Sequence, residues 1–525
     1  MQTKDSIKLR NILFAILSGL LLTASFPPGE LEWMAWIAII PLVISIEGKS
    51  RFDAFRIGII TGIAHYLTLI FWIVFVMNHY GGLNLPTGLS ILILFSFYLA
   101  LFPGFFSLIV SFFQGPRFSI LLTSGVWVAL EYLRSEIFFS GFPWCLLGYS
   151  QFKNLCLIQI SDLVGVYGVS FLIVSANVSI CLIFFRRDWL KKSFSLKWET
   201  GIVFILFLLT MAYGYKQLSA FDKKDNKEGI NVVIVQGNIN QSVKWDPAFK
   251  EMTLNIYKNL SEGAYNFNPH LIVWPETSVP LYFQQGSELA HRVLGIAKKS
   301  KASLIFGSPA YSRNGGLIKY YNRAYEISPE GLVAGYYDKV HLVPFGEYVP
   351  LQKYLPFVKR LAQAAGDFAT GNDMKPLTSN GISSGILICF EIIFPELARI
   401  QTKNGADIIV NLTNDAWFGM TSAPYQHLGM VVFRAVENKR PLVRSANTGF
   451  SAFISPVGEI YSKSELFMPE VLKQEVTLDS SSLTFYTRYG DLFAIIISII
   501  SLIYIVYILS YNKLKEKKDE SRDDN

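Results

Sequence analysis

Eight stretches of this sequence, at 10–27, 31–47, 56–77, 88–114, 118–137, 157–185, 200–216 and 490–510, are apolar over most of their length. Crossing the hydrocarbon core of a bilayer as a helix takes about 20 such residues, and inside hydrocarbon only a helix or a closed barrel satisfies its own backbone. The first seven stretches precede residue 219, and the eighth lies near the end. The expected architecture is a polytopic α-helical membrane domain of seven spans over 1–219, and an eighth helix with a charged tail over 486–525. Lys4, Lys8 and Arg10 precede the first run as in a signal peptide. That run is long for a signal core and leads directly into further spans, so it reads as retained.

Loop charge orients the spans. Lys49, Arg51 and Arg56, then Arg117, then Arg186, Arg187, Lys191 and Lys192 share one side with the basic residues of both termini. The short loops of the other side hold only Arg134 and Lys153. Cations concentrate on the cytoplasmic side, so both termini are expected there. The net charge of +7 follows from this asymmetry and does not imply nucleic-acid binding.

Residues 220–485 differ in kind, mixing polar and apolar residues with ordinary turn chemistry. Span counting puts this domain on the outer face of the membrane. Short β-rich runs recur at 231–238, 270–276, 302–308, 320–328, 385–391, 406–414 and 441–449, with helical patterns at 247–263, 285–300, 394–404 and 424–439. Alternation of this sort predicts a layered α/β domain. Asp246 before Pro247 predicts a helix start. The aromatic, proline-bearing segment 341–375 fits neither pattern and reads as a lid-like excursion.

Of four cysteines, Cys145, Cys156 and Cys181 belong to the membrane part, leaving Cys389 alone in the external domain. It sits in the apolar run GILICFE, two residues from Glu391. An unpaired cysteine in an oxidising compartment is a reactive thiol or a buried core residue. Polar groups also end other apolar runs: Glu276 after LIVWP and Lys339 after VAGYYD. A thiol needs a base or a nearby cation to react. A carboxylate supplies the first, and an ammonium supplies the second together with stabilisation of an oxyanion. Glu, Lys and Cys are therefore chemically sufficient for acyl transfer, although each taken singly is also a common structural residue.

The ordered blocks IVWPET (272–277), YYDKVHLVPFGEY (336–348) and ILICFE (386–391) resemble the nitrilase superfamily, as does FRAVENKRPLVRSANTG (433–449). Joined to a membrane-embedded half with GFPWCLLGYSQ (141–151), KWDP (244–247) and NDAWFG (414–419), the pattern is similar to the apolipoprotein N-acyltransferase family. The resemblance implies an external nitrilase-like αββα sandwich. It implies Glu276 as general base, Lys339 as oxyanion-stabilising cation and Cys389 as nucleophile. Glu347 and Glu391 match supporting glutamates, and Trp245 and Trp144 match aromatic positions linked to substrate. Phe390 departs from the family's usual tyrosine, and so lacks its hydroxyl.

The implied reaction passes an acyl chain from a membrane phospholipid through a Cys389 thioester to the α-amine of a diacylglyceryl-cysteine on a lipoprotein. The expected enzyme is a monomer with membrane lipid around it, no metal, no cofactor and no nucleic acid. Three other readings stay open. One is a membrane-attached nitrilase-type amidase. Another is a Cys–His hydrolase through His341 or His427. The third is a transporter, suggested by the intramembrane carboxylates Glu131 and Asp162.

Overall fold

The computed structural model describes residues 7–29, 31–113, 118–137, 141–222, 229–241, 244, 246–314, 317–348, 367–478 and 482–523. The chain forms two compact units, one of residues 1–71, 89–214 and 491–525, the other of residues 72–88 and 215–490.

The first unit is helical. Among the described residues, four helices are individually long and apolar enough to cross a membrane: Leu85–Val110, Ser161–Phe185, Phe194–Phe221 and Leu492–Tyr511. A broken pair, Arg51–Leu69 with Trp72–His79, makes a fifth if counted as one span. The other expected spans are helices too, but shorter. Leu9–Ala24 has 16 residues and Ile120–Glu136 has 17. At 1.5 Å rise per residue these reach roughly 24–26 Å, short of a hydrocarbon core of about 30 Å.

Small residues bring the helices together. A Cβ added at Gly62 would lie 2.5 Å from the Ala100 Cα, the close approach that small residues permit between membrane helices. The two carboxylates of this unit are used internally. Glu131 Oε1 accepts from the Leu147 N–H at 2.7 Å, and Asp162 accepts from the Tyr213 hydroxyl at 2.9 Å. Arg134 lies within the helix Ile120–Glu136, is 2% exposed, and donates to the Tyr66 hydroxyl at 2.7 Å. It is therefore a buried residue and not the loop cation its sequence position suggests.

The second unit is built on two six-stranded sheets. The first contains β1 (Ile230–Gln236), β2 (Leu271–Val273), β3 (Ser303–Asn314), β4 (Leu317–Ile327) and β5 (Val333–Asp338). The second contains β6 (Leu377–Ser379), β7 (Ile382–Ile388), β8 (Ile408–Thr413), β9 (Leu442–Ala446), β10 (Ala452–Ile454) and β11 (Ile460–Lys463). Strand β12 (Glu470–Val476) returns to the first sheet beside β1. The orders are β12-β1-β2-β3-β4-β5 and β11-β10-β9-β8-β7-β6, with the parallel triplets β1-β2-β3 and β7-β8-β9 at their centres.

Side chains alternate across each strand. Val232 and Ile234 join Ile386, Ile388 and Val410 in the core between the sheets. Val233 and Val235 face the other way, joining Leu254, Val293 and Ile296 of the helices Lys250–Glu262 and Glu288–Ser300. On the second sheet's outer side, Gln401 of the helix Pro395–Lys403 donates to the Ile386 carbonyl at 3.1 Å. The result is the expected α/β/β/α layering. Strand β8 is buried at every position, as a central parallel strand covered on both faces should be. Asp246 caps its helix start as expected, accepting from the Ala248 N–H at 2.9 Å.

Residues 72–88 belong to this unit although their sequence continues an apolar run. Trp72 Nε1 donates to Gln426 Oε1 at 3.2 Å, and the Tyr80 hydroxyl donates to the Ala416 carbonyl at 2.9 Å. Gly419, at φ +58°, faces the Phe75 ring, where a Cβ would come within 2.5 Å. Of the 341–375 excursion, residues 349–366 lie outside the described residues.

Candidate active site

Three strand ends carry the expected residues. After β2, Trp274 anchors the chain by stacking on Tyr257 at 5.1 Å and donating to Ser261 Oγ at 3.0 Å. The next turn presents Glu276, 7% exposed. Here the backbone runs close against β3, with the Gly307 N–H donating to the Pro275 carbonyl at 3.2 Å. A Cβ at Gly307 would lie 2.8 Å from the Glu276 Cα, so only glycine admits this approach. Thr277 follows at φ +48°, outside the usual range for a β-branched residue.

Lys339 immediately follows β5 and is 1% exposed. Its Nζ donates to Glu347 Oε1 at 2.9 Å and lies 4.0 Å from Glu276 Oε1. Asn322 of β4 ties the two carboxylates together. Its Nδ2 donates to Glu276 Oε1 at 2.7 Å and to Glu347 Oε1 at 3.0 Å. Glu347 Oε2 accepts from the Val343 N–H at 2.8 Å. Glu276 Oε2 has no hydrogen-bond partner among the described residues, and is the atom left for a proton.

Cys389 stands where β7 passes into the 3-10 turn Cys389–Ile393, at φ +54°. An L-residue held in the left-handed region is strained by about 1–2 kcal/mol, and such strain is common at functional sites. Glu391 secures the turn. Its Oε2 accepts from the Ile388 N–H at 2.7 Å, while Oε1 accepts from the Val340 and His341 N–H groups and the Tyr337 hydroxyl at 2.7–3.0 Å. One carboxylate thus joins the cysteine turn to the chain just after Lys339.

Burial, then the Glu276 carboxylate, pushes the Cys389 thiol up to about 12, against the pull of Lys339. Burial disfavours the charge of Lys339, but Glu347 and then Glu276 outweigh it and raise its pKa. Burial lifts Glu391 to about 7, against Lys339 and the backbone donors. Both shifts favour the protonated forms, a neutral thiol at Cys389 and a charged ammonium at Lys339.

Behind the cysteine lies a buried polar floor. Arg444 Nη2 donates to Asp415 Oδ2 at 2.6 Å and approaches His427 Nδ1 at 3.0 Å. Thr413 donates to Asp415 Oδ1 at 2.9 Å. Burial opposes the Asp415 charge, yet Arg444 and His427 hold its carboxyl well below the usual range. His427 also meets the Cys389 backbone. His341 packs on Phe394 with ring centroids 3.8 Å apart, and burial followed by Lys339 lowers it to about 4. Both histidines are engaged in holding the surrounding structure.

The expected residues Glu276, Lys339 and Glu347 are in direct contact or within 4.0 Å. The charges of Glu276 and Lys339 both act on the Cys389 thiol, in opposite directions, and Glu391 orders its turn. Phe390 packs edge-on to Phe394 at 5.3 Å and needs no hydroxyl for that contact. Trp144 belongs to the helical unit, where it is buried and stacks on Phe142 at 6.3 Å. Trp245 lies outside the described residues. Sequence reasoning missed Asn322, Lys244 and the Asp415–Arg444 pair. The available signal was a polar residue on the inward face of a strand, visible only once the register of β4 is known.

A family model described as the apolipoprotein N-acyltransferase N-terminal domain matches residues 18–179, and one described as carbon-nitrogen hydrolase matches residues 231–485. The apolipoprotein N-acyltransferase of Geobacter metallireducens is 44% identical over 93% of this chain and 94% of its own length. Those of Wigglesworthia glossinidia brevipalpis and Chlorobaculum tepidum are each 30% identical, over 93% and 91% of this chain and 96% and 92% of their own lengths.

Proposed function

The chain belongs to the apolipoprotein N-acyltransferase family, and on that premise we propose that it transfers a fatty acyl chain from a membrane phospholipid to the N-terminal α-amine of diacylglyceryl-cysteine in a lipoprotein. The observation carrying this reading is the Lys339 ammonium bound to Glu347, 4.0 Å from a Glu276 carboxylate with one oxygen unpartnered among the described residues, both charges acting on the Cys389 thiol.

In the first half-reaction Glu276 takes the Sγ proton as sulfur attacks the phospholipid ester carbonyl. Lys339 stabilises the oxyanion. The carbon–oxygen bond then breaks, and Glu276 returns the proton to the leaving glyceryl oxygen, giving a lysophospholipid and a Cys389 thioester. In the second half-reaction the lipoprotein amine attacks the thioester and Glu276 takes its proton. The carbon–sulfur bond breaks, the amide leaves, and the thiol is regenerated. A thioester lies above both ester and amide in free energy, so the relay is thermodynamically sensible.

This reading includes a membrane domain over 1–219 of seven spans, a periplasmic catalytic domain over 220–485 and an eighth span with a cytoplasmic tail over 486–525. It also includes both termini in the cytoplasm of a bacterial inner membrane, a monomer, and substrate contacts from Trp144 and Trp245. A membrane-attached amidase would use the same three residues on a different carbonyl, but the match over residues 18–179 favours the transferase. Purified protein given phospholipid and a diacylglyceryl-cysteinyl peptide should yield lysophospholipid and an N-acylated peptide in equal amounts. Free fatty acid without peptide acylation, or turnover of soluble amides alone, would turn the assignment to a hydrolase.

A further inference from the structure

Two carboxylates, Glu276 and Glu347, surround the one ammonium of Lys339. Together these three groups carry a net negative charge, which is the wrong sign for a neighbour of a forming thiolate and oxyanion. The site as assigned is therefore short of positive charge.

Lys244 supplies it. The side chain is 1% exposed, and Nζ donates to the Glu276 backbone carbonyl at 3.0 Å. Among the described residues no carboxylate lies within 4.0 Å of it, whereas Lys339 has two that close. Ile239 and Gln241, ahead of Lys244 in sequence, are held by Asn447 and Asn414. Asn447 Oδ1 accepts from the Ile239 N–H and its Nδ2 donates to the Ile239 carbonyl, both at 2.8 Å, while Asn414 Nδ2 donates to Gln241 Oε1 at 2.8 Å.

We propose that Lys244 is a second cationic positioning residue of the acyl-transfer site, holding the Glu276 turn through the backbone carbonyl while its charge favours the Cys389 thiolate and the oxyanion of acyl transfer. This rests on the assignment of Cys389 as nucleophile. Burial lowers Lys244 to about 8, against the pull of Glu276 and then Cys389. A buried ammonium in a dry site acts strongly on its neighbours.

The test compares Lys244→Gln, which retains a donor for the carbonyl without the charge, with Lys244→Arg, which retains both. Full-length protein is treated with iodoacetamide, and Cys389 is resolved from the other three cysteines by peptide mass spectrometry. Thioester formation with phospholipid is followed in parallel, and thermal unfolding checks folding. In Lys244→Gln, Cys389 alkylation and thioester formation should each fall about tenfold, the equivalent of one pKa unit. Lys244→Arg should keep both within about threefold. Wild-type rates in folded Lys244→Gln would overturn the proposal, as would an equal loss in folded Lys244→Arg. The Arg comparison stands alone if the Gln variant does not fold. A wild-type protein that forms no Cys389 thioester while releasing lysophospholipid would instead refute the nucleophile assignment.

Discussion

Lys339 Nζ donates to Glu347 Oε1 at 2.9 Å, so the buried ammonium is held by a glutamate eight residues along the chain rather than by Glu276, which it adjoins. Glu276, at 4.0 Å, is thereby spared a tight ion pair. Glu347→Gln would remove the nearer counter-ion and draw Lys339 onto Glu276. Breaking one side of a buried pair costs about 3–5 kcal/mol, and thioester formation should fall about 10²-fold as the base is tied up. Because both carboxylates raise Lys339, the stability its charge brings is fully present below the ordinary lysine value, declines as pH rises from there to the raised one, and is gone above it. No alkaline loss of the ion pair is expected up to pH 10. A Glu347→Gln enzyme within threefold of wild type would refute this division of labour.

Asn322 donates from one amide nitrogen to both Glu276 and Glu347. Replacement with Asp would put a third carboxylate where a donor is needed, and should reduce acyl transfer by about 10²-fold or more. Asn322→Ala removes the donor without adding charge, and should cost less, about tenfold. Steady-state rates of lysophospholipid release rank the two. The reverse order would mean that Asn322 does not orient the glutamates.

Glu326, on β4, is buried with neither carboxylate oxygen partnered among the described residues. Burial alone raises it to about 8. The sign is destabilising: the fold favours the neutral acid, so stability is lost as pH rises from the ordinary glutamate value towards 8, and the whole cost is present above that. Glu326→Gln should therefore gain on the order of a few kcal/mol relative to wild type at pH 8.5 and little at pH 4.5. Thermal unfolding of both proteins across this range measures it. Parallel pH curves would show that the carboxyl is solvated.

Gly419 faces Phe75 at a positive φ. Gly419→Ala meets two penalties, overpacking of about 1–3 kcal/mol and a left-handed backbone of about 1–2 kcal/mol. The double variant Gly419→Ala with Phe75→Leu should recover only the packing part. If Phe75→Leu restores nothing, the ring contact is not what excludes a side chain there.

The layered α/β alternation is legible in local pattern, while the αββα sandwich is what the resemblance implies. Strands such as β8 are short apolar runs bounded by turns, and Asp246-Pro247 announces a helix with its own chemistry. Glu276, Lys339 and Cys389 stand out as candidates because each lies at the end of such a run, and only the resemblance groups them. Asn322 does not stand out, since its role depends on a strand register that places it beside two glutamates distant in sequence. The break after Leu69 was equally silent, because Ile70 and Phe71 continue the hydropathy of the helix they end. Nor does hydropathy measure helix length: the first apolar run extends to residue 27, but its helix stops at Ala24, ahead of Pro27 and Pro28.

The most direct measurement is intact and peptide mass spectrometry of the purified protein after exposure to phospholipid without an acceptor, beside Cys389→Ser. The account predicts one fatty-acyl increment on the Cys389 peptide, released by hydroxylamine, discharged by a diacylglyceryl-cysteinyl peptide, and missing from the variant. Lysophospholipid release from a folded protein whose Cys389 never carries an acyl group would contradict it.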